Sequence, residues 1–152
     1  MMTTAEMTSE TKPKRCTFCA IVAGELDAAM IWNDTETAAF LDSRPLFKGH
    51  VLVVPRAHVP TLPELPAADV GVLFTAVQRA ARAVEAALTA DGTFVAMNNK
   101  VSQSVPHLHV HVVPRRRKDG LRGFFWPREP YADDAEMHDM ARRIRDALGA
   151  DL

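Results

Sequence analysis

The stretch "HLHVHVV" (His107 to Val113) limits the possible folds of this chain more than any other segment. His107, His109 and His111 alternate with Leu108, Val110 and Val112. In an extended strand, successive side chains point to opposite faces, so this spelling predicts one apolar face and one imidazole face. Successive imidazoles would stand roughly 6.5–7 Å apart along the backbone. The apolar face belongs in a core. A buried imidazole needs hydrogen-bond partners at both ring nitrogens, so three in strict alternation are costly as mere filling. That cost points the histidine face at a cleft or a ligand.

The remaining elements follow from period and punctuation. "CTFCAIVAGE" (Cys16 to Glu25) reads as a short helix closed by Gly24. "AAMIWND" and "ETAAFLD" read as strands with Asn33 and Asp34 between them, and "GHVLVVPRAH" as an apolar strand bounded by Gly49 and Pro55. After Pro66 the period changes: Val70, Leu73, Phe74, Val77, Ala81, Val84 and Leu88 recur at three and four, predicting one long amphipathic helix ending near Gly92. "TFVAMNN" (Thr93 to Asn99) and residues 107–113 add two strands. A last amphipathic helix is capped by Asp133 or Asp134 and stopped by Gly149. The expected architecture is α+β: a mainly antiparallel sheet of about five strands, helices on one face, one long central helix and a C-terminal helix. Residues 1–14 read as a polar disordered tail and 15–152 as a single domain.

At 152 residues and 47% hydrophobic, the chain can bury one core, and its net charge of −1 gives no general pull towards nucleic acid or membrane. No apolar run nears the roughly 18 residues of a membrane span, and the N-terminus lacks a secretory apolar core, so a cytoplasmic protein is expected. Two cysteines do not make a disulfide framework. "CTFC" (Cys16 to Cys19) leaves three readings open: a redox pair, half a zinc site, or two buried thiols.

The histidine face admits two chemistries. A three-histidine metal site would want an acidic partner, and no Asp or Glu lies in this strand or the preceding loop. Catalysis can use the neighbours that are present. Gln103, Ser104 and loop N–H groups can bind an anion, and a neutral imidazole is a competent nucleophile towards phosphorus.

"HLHVHVV", together with "FLDSRPLFKGHVLVVPRAH" upstream and "QSVPH" just before it, resembles the histidine triad (HIT) superfamily of nucleotidyl hydrolases and transferases, over about Cys16 to Pro114. The resemblance implies a HIT-like fold and a nucleotidyl hydrolase acting on a purine nucleoside phosphoramidate or dinucleoside polyphosphate. His109 would be the nucleophile, forming a covalent nucleotidyl–histidine that water cleaves. His111 would hydrogen-bond phosphoryl or leaving-group oxygens, and Ser104 and Gln103 would stabilise charge on non-bridging oxygens. His50 matches a further histidine near the triad, and a strand-end role capping a carbonyl is its alternative. Asp42 matches the acid that binds ribose hydroxyls, Phe40 and Ile21 would wall the base pocket, and Asn98 or Asn99 would contact phosphate or leaving group.

The same resemblance implies structural zinc held by Cys16, Cys19, His58 and His107, a closed set with no open position. It also implies a homodimer, with Trp126 in "GFFWP" as the candidate contact across it. Relatives usually carry a longer glycine-rich loop before the triad. Here "NNKVSQSVPH" is short, lacks glycine and places Ser102 before Gln103, which implies a stiffer or differently shaped phosphate loop. Uridylyl transfer fits less well, because that branch commonly has Gln where this chain has His111. Two other functions compete: a nucleotide-binding regulatory module with little turnover, and a metal-dependent hydrolase with all three strand histidines on one ion.

Overall fold

The computed structural model describes residues 15–122 and 128–148. The expected N-terminal tail, the "GFFWP" segment with Trp126, and the Gly149 helix stop lie outside them. Internal contacts group the chain into two units, Met1–Asp119 and Gly120–Leu152.

The first unit holds α1 (Thr17–Val22), β1 (Met30–Asn33), β2 (Thr37–Leu41), β3 (Val51–Pro55), a 3₁₀ turn (Leu62–Glu64), α2 (Ala67–Leu88), β4 (Gly92–Ala96) and β5 (Val110–Arg115). The five strands form one sheet in the order β1-β2-β3-β5-β4. Every neighbouring pair is antiparallel. Period-two alternation sorts the central strands into two cores. Ala39, Val51, Val53, Leu108, Val110 and Val112 face α2, which contributes Leu73, Ala76, Val77, Ala80 and Val84. Ala38, Phe40, Leu52 and Val54 face the other way and are covered by Phe18, Ile21 and Val22 of α1. The two helices of this unit therefore lie on opposite faces, where the sequence had suggested one. A six-residue helix can cover a sheet face because its buried residues come as a compact Phe–Ile–Val set.

Two boundaries and one buried stripe differ from expectation for identifiable reasons. The strand predicted over 107–113 is paired only from Val110. Before that, the N–H groups of His107 and Leu108 donate to Val105 O (2.8 Å) and Val59 O (2.7 Å), so this run lies along the segment after β3 instead of joining the ladder. β4 stops at Ala96, ahead of Asn98 and Asn99. Along α2 the buried stripe uses alanines at 76 and 80, while Val70, Phe74 and Leu88 stay more than a third exposed. Small side chains let the helix approach the sheet closely, so residue size shifted the stripe.

The basic run "RRR" closes the β5–α2 corner. Arg115 pairs with Asp119 at 2.6 Å, and Arg116 donates to the carbonyls of Leu88 (2.7 Å) and Thr89 (2.8 Å) at the end of α2. Gly49 sits at φ +97°, and a Cβ there would fall 2.2 Å from Leu88 Cδ1. The chain thus passes tight against α2 just before His50. In the second unit, α3 (Asp134–Leu148) is capped by Asp133, whose Oδ1 accepts the Glu136 N–H at 2.8 Å. Among the described residues no helix is long and apolar enough to cross a membrane.

The C-cap of α2 is Thr89, in the left-handed region at φ 49°, ψ 45°. A β-branched residue is strained there, whereas glycine is not. Thr89→Gly is expected to stabilise the protein by roughly 0.5–1 kcal/mol after its larger unfolded-state entropy is counted. Calorimetry should show the midpoint rising by about 1–4 °C.

Candidate functional site

The end of β2, the loop after it, β5 and α1 enclose a cleft of about 520 Å³. This is within the usual range for a small-ligand pocket. Its lining includes Asp42, Ser104, His109 and His111 on the polar side and Phe18, Phe40, Leu52 and Val105 on the apolar side. The register explains part of this gathering: Leu52 of β3 pairs with His111 of β5, and Leu52 also pairs with Phe40 of β2.

The protonation of each imidazole follows from neighbours that can only donate or only accept. His107 is fully buried, and its Nε2 lies 2.7 Å from the Pro55 carbonyl. It must donate there, so Nδ1 keeps a lone pair. His109, 3% exposed, has Nδ1 2.7 Å from the carbonyl of His107. Its proton is therefore on Nδ1 and its Nε2 carries the lone pair. His50 is also 3% exposed, and its Nδ1 accepts the Leu46 N–H at 3.1 Å. Its proton is thus on Nε2, which donates to Nδ1 of His111 at 2.9 Å. His111 in turn carries its proton on Nε2. Burial, with added repulsion from His109 and His50, lowers the His111 pKa to about 4 and keeps the ring neutral at pH 7. Burial lowers His50 as well, against the opposing pull of Asp42.

Nδ1 of His107 meets the C-x-x-C pair. It lies 3.5 Å from the Sγ atoms of both Cys16 and Cys19, and Cys19 Sγ lies 3.3 Å from Nδ1 of His58. All four ligand atoms fall within 4.8 Å of one another. A tetrahedral zinc with ordinary Zn–S and Zn–N bonds separates sulfur from nitrogen by roughly 3.5 Å, so this donor set fits that ion. Both thiols are free. Asp42, His50 and His111 also converge within 4.8 Å. A cation between them would need the His50 proton on Nδ1, directed into the Leu46 N–H, so the two histidines form a hydrogen-bond relay instead, with Asp42 beside it. His107 and His111 belong to different clusters, which overturns the alternative of all three strand histidines on one ion.

The structure separates the remaining candidates. Asp42 lies at the cleft, with Oδ1 accepting the Arg44 N–H (2.9 Å) and Oδ2 3.8 Å from His50 Nε2. Phe40 lines the cleft, whereas Ile21 is in the α1 core. Asn98, Asn99 and Gln103 do not line it. Their side chains bond to Ser102 O (3.1 Å), Leu62 N–H (2.8 Å), and both Lys100 N–H (2.9 Å) and Pro60 O (2.6 Å), respectively. These bonds hold a loop in which Lys100 (φ 70°) and Ser102 (φ 59°) adopt the left-handed backbone usually left to glycine. Phe18 was not among the sequence candidates. Lying between the two cysteines, it packs edge-to-face with both rings, its centroid 5.0 Å from that of His109 and 5.3 Å from that of Phe40. Arg44, also unforeseen, is the one Lys or Arg among the described lining residues.

The family description "HIT domain" matches residues 23–118. Among named relatives, adenylylsulfatase HINT3 of Arabidopsis thaliana is 33% identical over 74% of this chain and 58% of its own. The asymmetrical bis(5′-nucleosyl)-tetraphosphatase of Schizosaccharomyces pombe is 32% identical over 70% and 58%. Adenosine 5′-monophosphoramidase of the same yeast is 29% identical over 78% and 88%. A crystal structure from Streptococcus mutans superposes with a TM-score of 0.81 at 33% identity, covering 97% of this chain and 94% of that one. A zinc-bound histidine triad family protein from Mycobacterium smegmatis gives 0.66 at 35% identity, covering 87% and 96%. With the alternating histidines on β5 and its run-in, the cleft beside them and these matches, the chain belongs to the histidine triad family of nucleotide-binding proteins and hydrolases.

Proposed function

We propose that this protein is a nucleotidyl hydrolase acting in the cytoplasm, which cleaves the α-phosphate bond of a purine nucleoside phosphoramidate or dinucleoside polyphosphate. The observation that carries this reading is the 2.7 Å bond from His109 Nδ1–H to the His107 carbonyl, because it leaves a lone pair on Nε2 of a ring lining the cleft. The named activities of the three relatives, which act on an adenylyl sulfate, a dinucleoside tetraphosphate and an AMP phosphoramidate, support the substrate class.

In this reading Nε2 of His109 attacks the α-phosphorus. The bond to the leaving group breaks with its electron pair going to that group, which takes a proton from the medium where its basicity demands one. The resulting nucleotidyl–imidazolium keeps its Nδ1–H on the His107 carbonyl, whose dipole stabilises the ring charge. Water then attacks phosphorus, the P–N electron pair returns to Nε2, and the water proton leaves to solvent with release of a nucleoside monophosphate. His111 Nε2–H and Ser104 hydrogen-bond phosphoryl oxygens, and Asp42 accepts the ribose hydroxyls. Phe18 and Phe40 wall the base, and Arg44 offers charge to an anionic leaving group.

Cys16, Cys19, His58 and His107 would hold zinc, which supplies no reactive position when four protein ligands close its shell. Its contribution is to tie α1, with Phe18, to the segment that carries the His107 carbonyl. Assembly as a homodimer is part of the reading, supported by β4 as a sheet-edge strand whose Val95 is 42% exposed.

Three measurements test these assignments. His109→Gln should lower AMP release from adenosine 5′-phosphoramidate and diadenosine polyphosphates by roughly 10³-fold or more while nucleotide binding survives. Turnover unchanged in that variant would refute the nucleophile. Native mass spectrometry should show two chains carrying two zinc ions. Cys16→Ser and Cys19→Ser should lose the metal and melt lower, and metal-free wild type with an unchanged midpoint would exclude the site.

The third test uses pH. His111 titrates near 4 when folded against 6.5 in the unfolded chain, so the unfolded chain binds the extra proton. The stability that this ring contributes is full above about 6.5 and is lost as pH falls towards about 4. The melting midpoint should fall across that window, with a shallower slope in His111→Gln.

A further inference from the structure

Two neighbouring imidazoles on one strand face have identical intrinsic chemistry, yet the cleft needs one to offer a lone pair and the other a proton. The His107 carbonyl settles the first. The second depends on a chain that begins at a backbone group: Leu46 N–H donates to His50 Nδ1 (3.1 Å), and His50 Nε2–H donates to His111 Nδ1 (2.9 Å). A backbone amide can only donate, so neither link can reverse while the rings are neutral. His50 is 3% exposed and is not among the residues lining the cleft.

We propose that His50 is a positioning residue which, oriented by the Leu46 amide, fixes His111 in the tautomer that presents Nε2–H to the substrate. This role rests on the hydrolase reading for its consequence and on hydrogen-bond geometry for its existence. Without the relay, His111 would exchange between tautomers. In the wrong one it would turn a lone pair towards phosphoryl oxygens, repelling them and competing with His109 for phosphorus. Gly49 supports the arrangement: its φ of +97° and its approach to Leu88 set the backbone entering His50, whose own N–H donates to Phe47 O at 3.0 Å. The loop 46–50 is thus a small closed frame whose output is the direction of one proton. Asp42 Oδ2, at 3.8 Å from His50 Nε2, is too far to take that proton from His111.

The test reads nitrogen protonation directly, by ¹⁵N NMR of ring-labelled histidines in the full-length, zinc-supplemented protein without substrate. Wild type should show His111 protonated at Nε2 and bare at Nδ1. His50→Ala should turn His111 into a tautomer mixture. His50→Gln, whose amide N–H can replace Nε2–H, should restore it.

In steady-state kinetics on the AMP phosphoramidate, His50→Ala should lower kcat by about 10–100-fold with little change in KM, and His50→Gln should recover most of the loss. A wild-type His111 protonated at Nδ1, or a His50→Ala protein whose His111 tautomer is unchanged, would overturn the proposal. So would a His50→Gln protein that keeps the tautomer but turns over no faster than His50→Ala. Absence of turnover in wild type would instead count against the hydrolase reading, and the NMR result would still decide the relay.

Discussion

The carbonyl oxygen of His107 is the point on which the site depends. It accepts the Nδ1 proton of His109 and so makes that ring's other nitrogen a base. The same residue is pinned through both of its own ring nitrogens, by Pro55 O on one side and the two thiols on the other. A fully buried imidazole with every polar atom engaged has no alternative rotamer of comparable energy. The carbonyl beside it is correspondingly rigid. The cysteine–histidine cluster, the strand run-in and the His109 ring are therefore one mechanical unit, although the residues involved span from Cys16 to His109.

Around that unit, several parts of the chain have local conformations that would cost energy in isolation. Lys100 and Ser102 adopt left-handed backbone without being glycine, and Thr89 does so at the end of α2. In the first case, side-chain amides of Asn98, Asn99 and Gln103 hold the loop; in the second, the guanidinium of Arg116 grips the helix's last carbonyls. These are the polar residues one would assign to ligand when reading the chain in one dimension. Their hydrogen bonds are used on the scaffold that lets His109, His111 and Ser104 meet in the cleft.

Much of the fold was legible because period is a local property. The alternation of His107 to Val113 separated an imidazole face from a core face, and the α2 pattern and the Gly24 turn followed from spacing and backbone freedom. The same rules missed where residue size outweighed hydrophobicity, as when Ala76 and Ala80 took the buried stripe of α2 while Phe74 stayed outside. They missed Phe18, since an aromatic between two cysteines reads as core. Only the docking of α1 against β2 and β3 shows that the ring edge reaches the cleft.

The residue types at the site are set by the chain itself: five imidazoles, two thiols and a carboxylate, in motifs that resemble those of the histidine triad family. The carbonyl two residues back places the proton of His109 locally, but for His107 and His111 the choice is made far along the chain. It depends on Pro55 for His107 and on Leu46, through His50, for His111, partners separated by 52 and 61 or more residues. An imidazole's two tautomers are nearly equal in energy in water, so only a fixed donor or acceptor brought up by folding can choose between them.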